Sequence, residues 1–264
     1  MTSPRDYIRV FLCDCKLKLA RAMEFRFDFI CGCIFSFAVA LVNIVFQFLI
    51  YSNTRGYPGW SFGQILLFQA VILLVAGVRD TVFGNVRLVF EENVQFGNVD
   101  RLLLFPFPSL GMVLVRGFQF NALSSIPAGL ITLGYSIWKL QLRLQWWHIG
   151  LFLLFIVIGM LLYVSFIILH CSLALRLIYV RYLRDVFDRI VNFGYYPAEI
   201  FSRLIKIIYL TVIPVAVFIY FPSQALLGRL NLICASGAGI SVALFAASIK
   251  IWNHQLKNYT GAGG

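Results

Sequence analysis

Histidines, cysteines and acidic residues supply most catalytic and metal-binding groups, and in this sequence they are not spaced for either task. His148, His170 and His254 have no Asp or Glu at the short spacing that a metal or catalytic site uses. Four of the six cysteines form two C-x-C pairs without a histidine nearby. No G-x-x-x-x-G-K-[ST] sequence occurs, so ATP cannot bind through a phosphate-binding loop of that kind. We expect no catalytic residue, no metal and no cofactor in this chain.

Composition places the elements that carry these residues in a membrane. Of the 264 residues, 61% are hydrophobic and 12% are charged, which is more apolar surface than a soluble core needs. The formal net charge is +11, and the basic residues flank hydrophobic segments instead of forming a soluble face. An anionic lipid surface is therefore favoured over nucleic acid as a partner. We predict an all-α membrane protein.

Six segments reach or approach the roughly 20 apolar residues that cross a hydrocarbon core of about 30 Å. They lie at about 29–51, 62–78, 112–138, 149–170, 201–221 and 230–249. Most Lys and Arg residues fall on one side if both termini are cytoplasmic, which satisfies the positive-inside rule. Residues 29–264 are therefore predicted to form one six-helix membrane domain. Residues 1–28 show apolar positions at three- and four-residue spacing with basic residues off that stripe, which predicts an amphipathic interfacial helix.

The eleven acidic residues are all predicted to lie at or beyond the cytoplasmic ends of these segments. Carriers driven by protons or sodium usually need an ionisable or strongly coordinating group near the middle of the membrane. This placement disfavours an ion-coupled carrier. A channel, or a carrier that uses backbone carbonyls, stays open.

Two polar connections on the cytoplasmic side are predicted to be helical. Residues 86–108 are too polar to cross a membrane and too apolar for a loose loop, and Pro106 and Pro108 end the element. Its apolar residues could fill a groove of a soluble partner, or the helix could lie on the membrane alone. The fourth connection pairs opposite charges four residues apart, as in Arg184 with Asp188, which predicts a solvated surface helix.

Residues 86–108 also carry a family resemblance, through Gly97, Asp100, Leu103 and Pro106. The chain resembles the permeases of type-2 ABC transporters, in particular a bacterial group of ABC export permeases. Phe105 departs from the basic residue that this family has before the proline. Two further passages carry the likeness, YYPAEIFSRLIKIIYLTVIPVAVFIYFPSQALLG and the tail IWNHQLKNYTGAGG.

The resemblance implies a six-helix permease with both termini inside, a coupling helix between the second and third spans, and a short re-entrant element at residues 221–231 before the sixth. It implies a separate ABC ATPase that holds ATP and Mg²⁺, and a second permease in a homodimer or heterodimer. The chain would lie in a bacterial plasma membrane among its lipids and export an amphipathic or hydrophobic drug, peptide or lipid-like substrate. An ion-coupled carrier or channel, and a membrane scaffold or enzyme, are the alternatives.

The resemblance and the sequence pattern together assign two sets of site residues. The predicted contacts with the ATPase are Phe90, Glu91, Glu92, Val94, Gly97, Asp100, Arg101 and Leu103. The uncharged polar residues within the spans are candidates for the translocation path, with hydrogen bonding between helices as the alternative. These residues are Asn43, Gln47, Gln69, Gln119, Asn121 and Thr211.

Overall fold

The computed structural model describes residues 4–104, 108–177 and 180–259, and all regular secondary structure in these ranges is helical. Four helical runs in them are long and apolar enough to cross a membrane: Phe29–Asn53, Phe62–Gln95, Trp146–Leu177 and Leu232–Lys257. The α-helices, in chain order, are α1 (Pro4–Glu24), α2 (Arg26–Asn53), α3 (Phe62–Phe83), α4 (Val86–Gln95), α5 (Val99–Leu103), α6 (Ser109–Val115), α7 (Ser125–Leu140), α8 (Trp146–Leu177), α9 (Arg181–Phe193), α10 (Arg203–Ile207), α11 (Tyr220–Leu226) and α12 (Leu232–Lys257).

The third predicted segment, 112–138, is not one continuous helix. Helix α6 ends at Val115 and α7 begins at Ser125. Between them, the backbone amide of Gln119 donates to the backbone carbonyl of Thr81 at 2.8 Å, and the backbone carbonyl of Gly117 accepts from the backbone amide of Asn85 at 3.2 Å. Because these backbone groups bond to the end of α3 and to the residue before α4, the interruption leaves them satisfied inside the protein.

The fifth predicted segment, 201–221, is broken more severely. Helix α10 passes into a π-helical turn at Ile208–Val212, and Pro214 precedes a single 3₁₀ turn at Val215–Val217. Proline has no amide hydrogen to continue a helical ladder, which explains the break. Residues 214–226 are all buried, α11 among them, and α11 packs against α8. The predicted re-entrant element, 221–231, covers most of α11 and the turn at Gly228, whose φ of 67° favours glycine.

Two pairs of long helices, α3 with α7 and α8 with α12, make the two most extensive contacts between elements. Leu67, Phe68 and Val71 of α3 and Ile167 and Ile168 of α8 are fully buried in one core. Helix α2, in contrast, exposes most of its apolar side chains and is held mainly by α3 and by the 3₁₀ turn before α7. The wide apolar surface of α2 is what contact with lipid or another membrane helix requires.

The N-terminal helix α1 lies against α6 and the chain that follows it. The rings of Phe11 and Phe118 meet edge to face at 5.7 Å, and Lys18 Nζ donates to the Arg116 carbonyl at 2.6 Å. Lys18 also forms an ion pair with Asp14 at 2.8 Å. These contacts connect α1 to the membrane domain, while its position on a membrane surface stays a prediction.

The close approach of α12 to the broken fifth segment predicts a contrast between two glycines on one helix. A Cβ atom at Gly237 would lie 2.6 Å from the Leu210 carbonyl oxygen and 2.7 Å from a Phe221 ring carbon, whereas nothing lies within 4 Å of one at Gly239. We expect Gly237→Ala to destabilise the protein by about 1–3 kcal/mol, because backbone must shift. Gly239→Ala should be neutral or slightly stabilising. Thermal unfolding in detergent micelles compares the two, and equal midpoints would contradict the packing.

Candidate functional site

The predicted docking segment is two helices with a sharp turn between them. Helix α4 ends at Gln95, and Gly97 adopts a left-handed φ of 68°, which a residue with a side chain rarely takes. The chain then turns into α5 at Val99. Because the turn rotates α5 relative to α4, residues on the two helices do not share the single face that one continuous helix would give them.

The inner face of α4 packs into this chain's own core. Phe90 is 2% exposed, and its ring lies 5.8 Å from that of Trp252 on α12. Val94 and Val99 are also buried in the core. The apolar stripe of α4 is therefore used inside the chain, which corrects the prediction that Phe90 and Val94 contact the ATPase.

The outer face carries different apolar residues together with charges. Phe96 is 77% exposed and Leu104 is 84% exposed, and Leu88 is also exposed. Among the predicted contacts, four are exposed and one, Leu103, has a side chain outside the described residues. The exposed four are Glu92, Gly97, Asp100 and Arg101.

Glu91 lies at the centre of a buried ionic cluster beneath α4. Its Oε1 accepts a hydrogen bond from His170 Nε2 at 2.8 Å, and its Oε2 accepts from Arg184 Nη1 at 3.2 Å. Glu91 and His170 are both buried, on α4 and α8, and Arg184 comes from α9. The predicted docking residue Glu91 therefore joins three helices of this chain instead of facing a partner.

A second set of ionic contacts continues the cluster along α3 and α9. Arg87 pairs with Asp188, and Arg79 makes a two-pronged contact with Asp80 at 2.7 and 2.8 Å. Arg79 also donates to the phenol oxygen of Tyr195 at 3.0 Å. Burial raises the pKa of Tyr195, so its phenol stays neutral. Arg184 and Asp188 of α9 thus pair with Glu91 and Arg87 of α4. The four-residue spacing had instead predicted that Arg184 and Asp188 pair with each other.

Three of the six predicted path residues meet at one cavity of about 400 Å³ between α2, α3 and the chain before α7. Asn43, Gln119 and Asn121 line it, and Asp80 and Ser125 add two polar groups that the sequence did not single out. The apolar lining includes Phe35, Val39 and Leu73. A cavity lined by both polar and aromatic or aliphatic groups suits an amphipathic molecule.

The other three predicted path residues do not line this cavity. Gln69 is buried on α3, and Gln47 is partly exposed on α2. Thr211 donates its hydroxyl to the Ile207 carbonyl at 2.7 Å within the π-helical turn. Hydrogen bonding within the helix accounts for Thr211.

The sequence of residues 37–263 matches the family described as ABC-2 family transporter protein. The chain belongs to the ABC-2 transporter family. Membership makes it a membrane protein with a permease role in an ABC transporter, which works with an ATPase partner. No curated protein and no solved structure matches the ABC-2 chain.

One acidic residue of the ABC-2 chain lies where the sequence did not predict it. Glu199 accepts hydrogen bonds from Trp60 Nε1 at 2.7 Å and from the Tyr220 hydroxyl at 2.6 Å. Trp60 precedes the first turn of α3, whereas Arg79 is near the last turn. Glu199 therefore lies toward the end of α3 opposite the ionic cluster, so the eleven acidic residues do not all lie on one side as predicted. The chain after α9 folds back into the protein instead of staying on that side.

The ionic cluster was the part of the site that sequence reasoning missed in the ABC-2 chain. Its members are separated by up to about a hundred residues, as Arg87 and Asp188 are, so no local spacing reveals them. The usable signal was Glu91 itself, which falls on the same α4 stripe as Phe90 and Val94. A carboxylate on an apolar stripe requires a buried partner.

Proposed function

We propose that this ABC-2 chain is the membrane permease of an ATP-driven exporter, with α4 and α5 as the element that contacts a separate ATPase. ATP and Mg²⁺ would bind to that ATPase. The two interrupted segments would complete six spans, with both termini in the cytoplasm of a bacterium. A second permease, identical or related, would complete the transport path. The proposal rests mainly on how α4 is held.

The main support for the proposal is that α4 is bonded to the rest of the chain on its inner face and is exposed on its outer face. Glu91 bonds its inner face to His170 of α8 by a hydrogen bond and to Arg184 of α9 by an ion pair, and Arg87 pairs with Asp188 of α9. Its outer side, together with the turn and α5, exposes Phe96 and Leu104 near Asp100 and Arg101. Interfaces that hold a partner tightly combine buried aromatic or aliphatic anchors with a polar rim. A push on this surface would pass through rigid contacts to α8 and α9.

The test is reconstitution of the chain in liposomes with and without the ATPase that co-purifies with it. We expect ATP-dependent export of an amphipathic dye by the complex, inhibition by vanadate, and no transport by the chain alone. Mass spectrometry of the gently solubilised complex would identify the ATPase and any second permease. A chain that purifies alone and transports without ATP contradicts the proposal.

The cavity that contains Asn43 is the proposed substrate site. Asn43 Nδ2 donates one hydrogen to the Val39 carbonyl at 3.1 Å, which leaves its amide oxygen to accept from a substrate and its second hydrogen to donate. The Asp80 carboxylate, 2.7 Å from Arg79, provides a further acceptor at the wall. These acceptors favour an amphipathic substrate whose polar part donates hydrogen bonds, such as an amine.

Replacing polar residues of the cavity lining by apolar ones should impair transport without weakening ATPase binding. We expect Asn121→Leu, and separately Gln119→Leu, to reduce transport about tenfold, because each replaces a polar lining group that a bound substrate would use. Asn192→Leu on the exposed side of α9 is the matched control and should transport normally. ATPase co-purification should be equal in all three variants. Equal transport by all three variants would show that this cavity is not part of the transport path.

Glu199 is the one observation that favours the ion-coupled alternative. Its carboxylate lies within hydrogen-bonding distance of Trp60 and Tyr220, away from the cytoplasmic cluster. A carrier driven by protons should lose flux when Glu199 becomes Gln, even without an ATPase. The exporter proposal expects no flux from the chain alone in either form.

A further inference from the structure

Exposed tryptophans gather at the end of the helices opposite the ionic cluster. Trp138, near the end of α7, is 75% exposed, and Trp146, at the start of α8, is 81% exposed. Trp147 is exposed beside it. The other two of the chain's five tryptophans, Trp60 and Trp252, are buried. Every exposed tryptophan of the chain therefore lies where α7 ends and α8 begins.

Contacts with α3 show that this end is remote from the ionic cluster. The Nζ atom of Lys139 on α7 lies 4.5 Å from the centre of the Phe62 ring, at the first residue of α3. Arg79 of the ionic cluster lies about 26 Å farther along α3. Residues 141–145 are a short connection, so α8 begins at the same end as α7 finishes. The separation is close to the roughly 30 Å thickness of a hydrocarbon core.

The exposed side chains of both helices change in type at this end. On α7, Leu130 and Ile131 are exposed in the middle of the helix, and Tyr135 and Trp138 are exposed toward its end. On α8, which is long and apolar enough to span a membrane, the two tryptophans are followed by exposed aliphatic residues at positions 149, 153, 154 and 157. Trp and Tyr combine an apolar ring with a hydrogen-bonding group, which suits them to the boundary between hydrocarbon and head groups.

Basic groups accompany the aromatic rings. The Nζ atom of Lys139 lies 5.8 Å from the centre of the Tyr135 ring, and Arg143 is exposed in the connection between the helices. The ion pairs found in the described ranges involve neither Lys139 nor Arg143. Their charges are therefore available to the phosphate groups of phospholipids, which lie just outside the level that aromatic rings prefer.

We propose that the exposed surface of Tyr135, Trp138, Trp146 and Trp147 binds the boundary between the head groups and the acyl chains of a phospholipid leaflet. The indole N–H groups donate to ester carbonyl oxygens of the lipids, and Lys139 and Arg143 meet the phosphates. This contact fixes the depth of α7 and α8, with the ionic cluster near the opposite surface of the membrane. It does not depend on the direction or energy source of transport.

Quenching of tryptophan fluorescence by brominated phosphatidylcholine tests this contact on the full chain in liposomes. Bromine near the carbonyl end of the acyl chains should quench the wild type more strongly than bromine near the methyl end. The triple variant Trp138→Phe, Trp146→Phe and Trp147→Phe should lose this difference, because only the buried Trp60 and Trp252 remain. Phenylalanine retains an apolar ring at exposed positions, so the triple variant should fold.

Restoring one tryptophan at a time to the triple variant measures the depth of each position. Leu154→Trp in the same variant is the matched control, because Leu154 is exposed about 12 Å farther along α8 than Trp146. It should be quenched more strongly by bromine near the methyl end, which is the reverse of the result expected at positions 138, 146 and 147.

Three results would overturn the lipid contact. Stronger quenching of the restored tryptophans by bromine near the methyl end would place them within the hydrocarbon. Quenching by dissolved acrylamide but by neither lipid would place them in water. Protection from all three quenchers would show that protein, such as a second copy of this chain, covers the surface instead of lipid.

Discussion

Replacing Glu91 by alanine is expected to destabilise the protein by about 3–5 kcal/mol, because removal of one member of a buried ionic cluster leaves its partners uncompensated. Glu91 accepts from His170 at 2.8 Å and from Arg184 at 3.2 Å, and its side chain is 5% exposed. Without it, Arg184 loses a partner beneath α4. The variant should also transport poorly per folded molecule, since α4 would no longer be tied to α8 and α9.

The neighbouring residue provides a matched control for this change. Glu92 is exposed on the same helix, so Glu92→Ala should change stability by no more than about 0.5 kcal/mol. Thermal unfolding of both variants in the same detergent measures the difference. If Glu91→Ala and Glu92→Ala unfold at the same temperature, the buried cluster does not hold α4 in place.

Replacing Phe96 by aspartate should release the ATPase while leaving the permease folded. Phe96 is 77% exposed in the turn between α4 and α5, where a partner could bury it. Loss of an aromatic anchor at the centre of an interface costs about 2–4 kcal/mol, which weakens binding roughly thirtyfold to a thousandfold. Co-purification and surface binding with the ATPase measure the loss, and ATP-dependent transport should fall with it.

The control for this experiment is an equally exposed apolar residue elsewhere. Leu232 is 90% exposed in the first turn of α12, where an acidic residue is compatible with the helix N-terminus. Leu232→Asp should keep the ATPase. Phe90→Asp is not a suitable test, because Phe90 packs on Trp252 and its loss would unfold the core. Retention of the ATPase by Phe96→Asp at wild-type affinity contradicts the docking surface.

The all-helical class and the long apolar helices could be predicted because the mean hydropathy of a segment depends only on its own residues. Helix α2 exceeds the predicted span 29–51 by three residues at its start and two at its end, and α8 exceeds 149–170 by three and seven. Helix α12 begins two residues inside the predicted span 230–249 and continues eight residues beyond it. The interruptions at 116–124 and 208–217 could not be predicted in this way. Hydropathy counts side chains, whereas these breaks depend on backbone carbonyls and amides that find partners on other segments, such as Gln119 with Thr81.

The helical character of the predicted docking segment could be predicted from sequence, but the direction in which its side chains point could not. Glu91 and Glu92 are identical in chemistry and adjacent in sequence, yet one is buried and the other is exposed. The turn at Gly97 also shifts the exposed apolar position to Phe96. Both outcomes depend on which face of α4 meets α8 and α9, and those helices are far away in the chain.

The cavity shows how much a list of polar residues can predict. Asn43, Gln119 and Asn121 were selected because a polar group in a span requires a reason, and they do line one cavity. Asp80 was predicted at the end of a span, and it lies in the last turn of α3. Its contact with Arg79 neutralises that charge and allows the carboxylate to face the cavity.

The broken fifth segment has a consequence for the assembly of the protein in a cell. A segment with Pro214 and a π-helical turn cannot enter lipid alone, because its unpaired backbone groups would face hydrocarbon. Its buried surfaces lie against α8 and α12, and α12 is made after it. The segment must therefore wait at the insertion machinery until Leu232–Lys257 has been synthesised. Truncation before α12 should leave a chain that the cell's quality-control proteases recognise and remove.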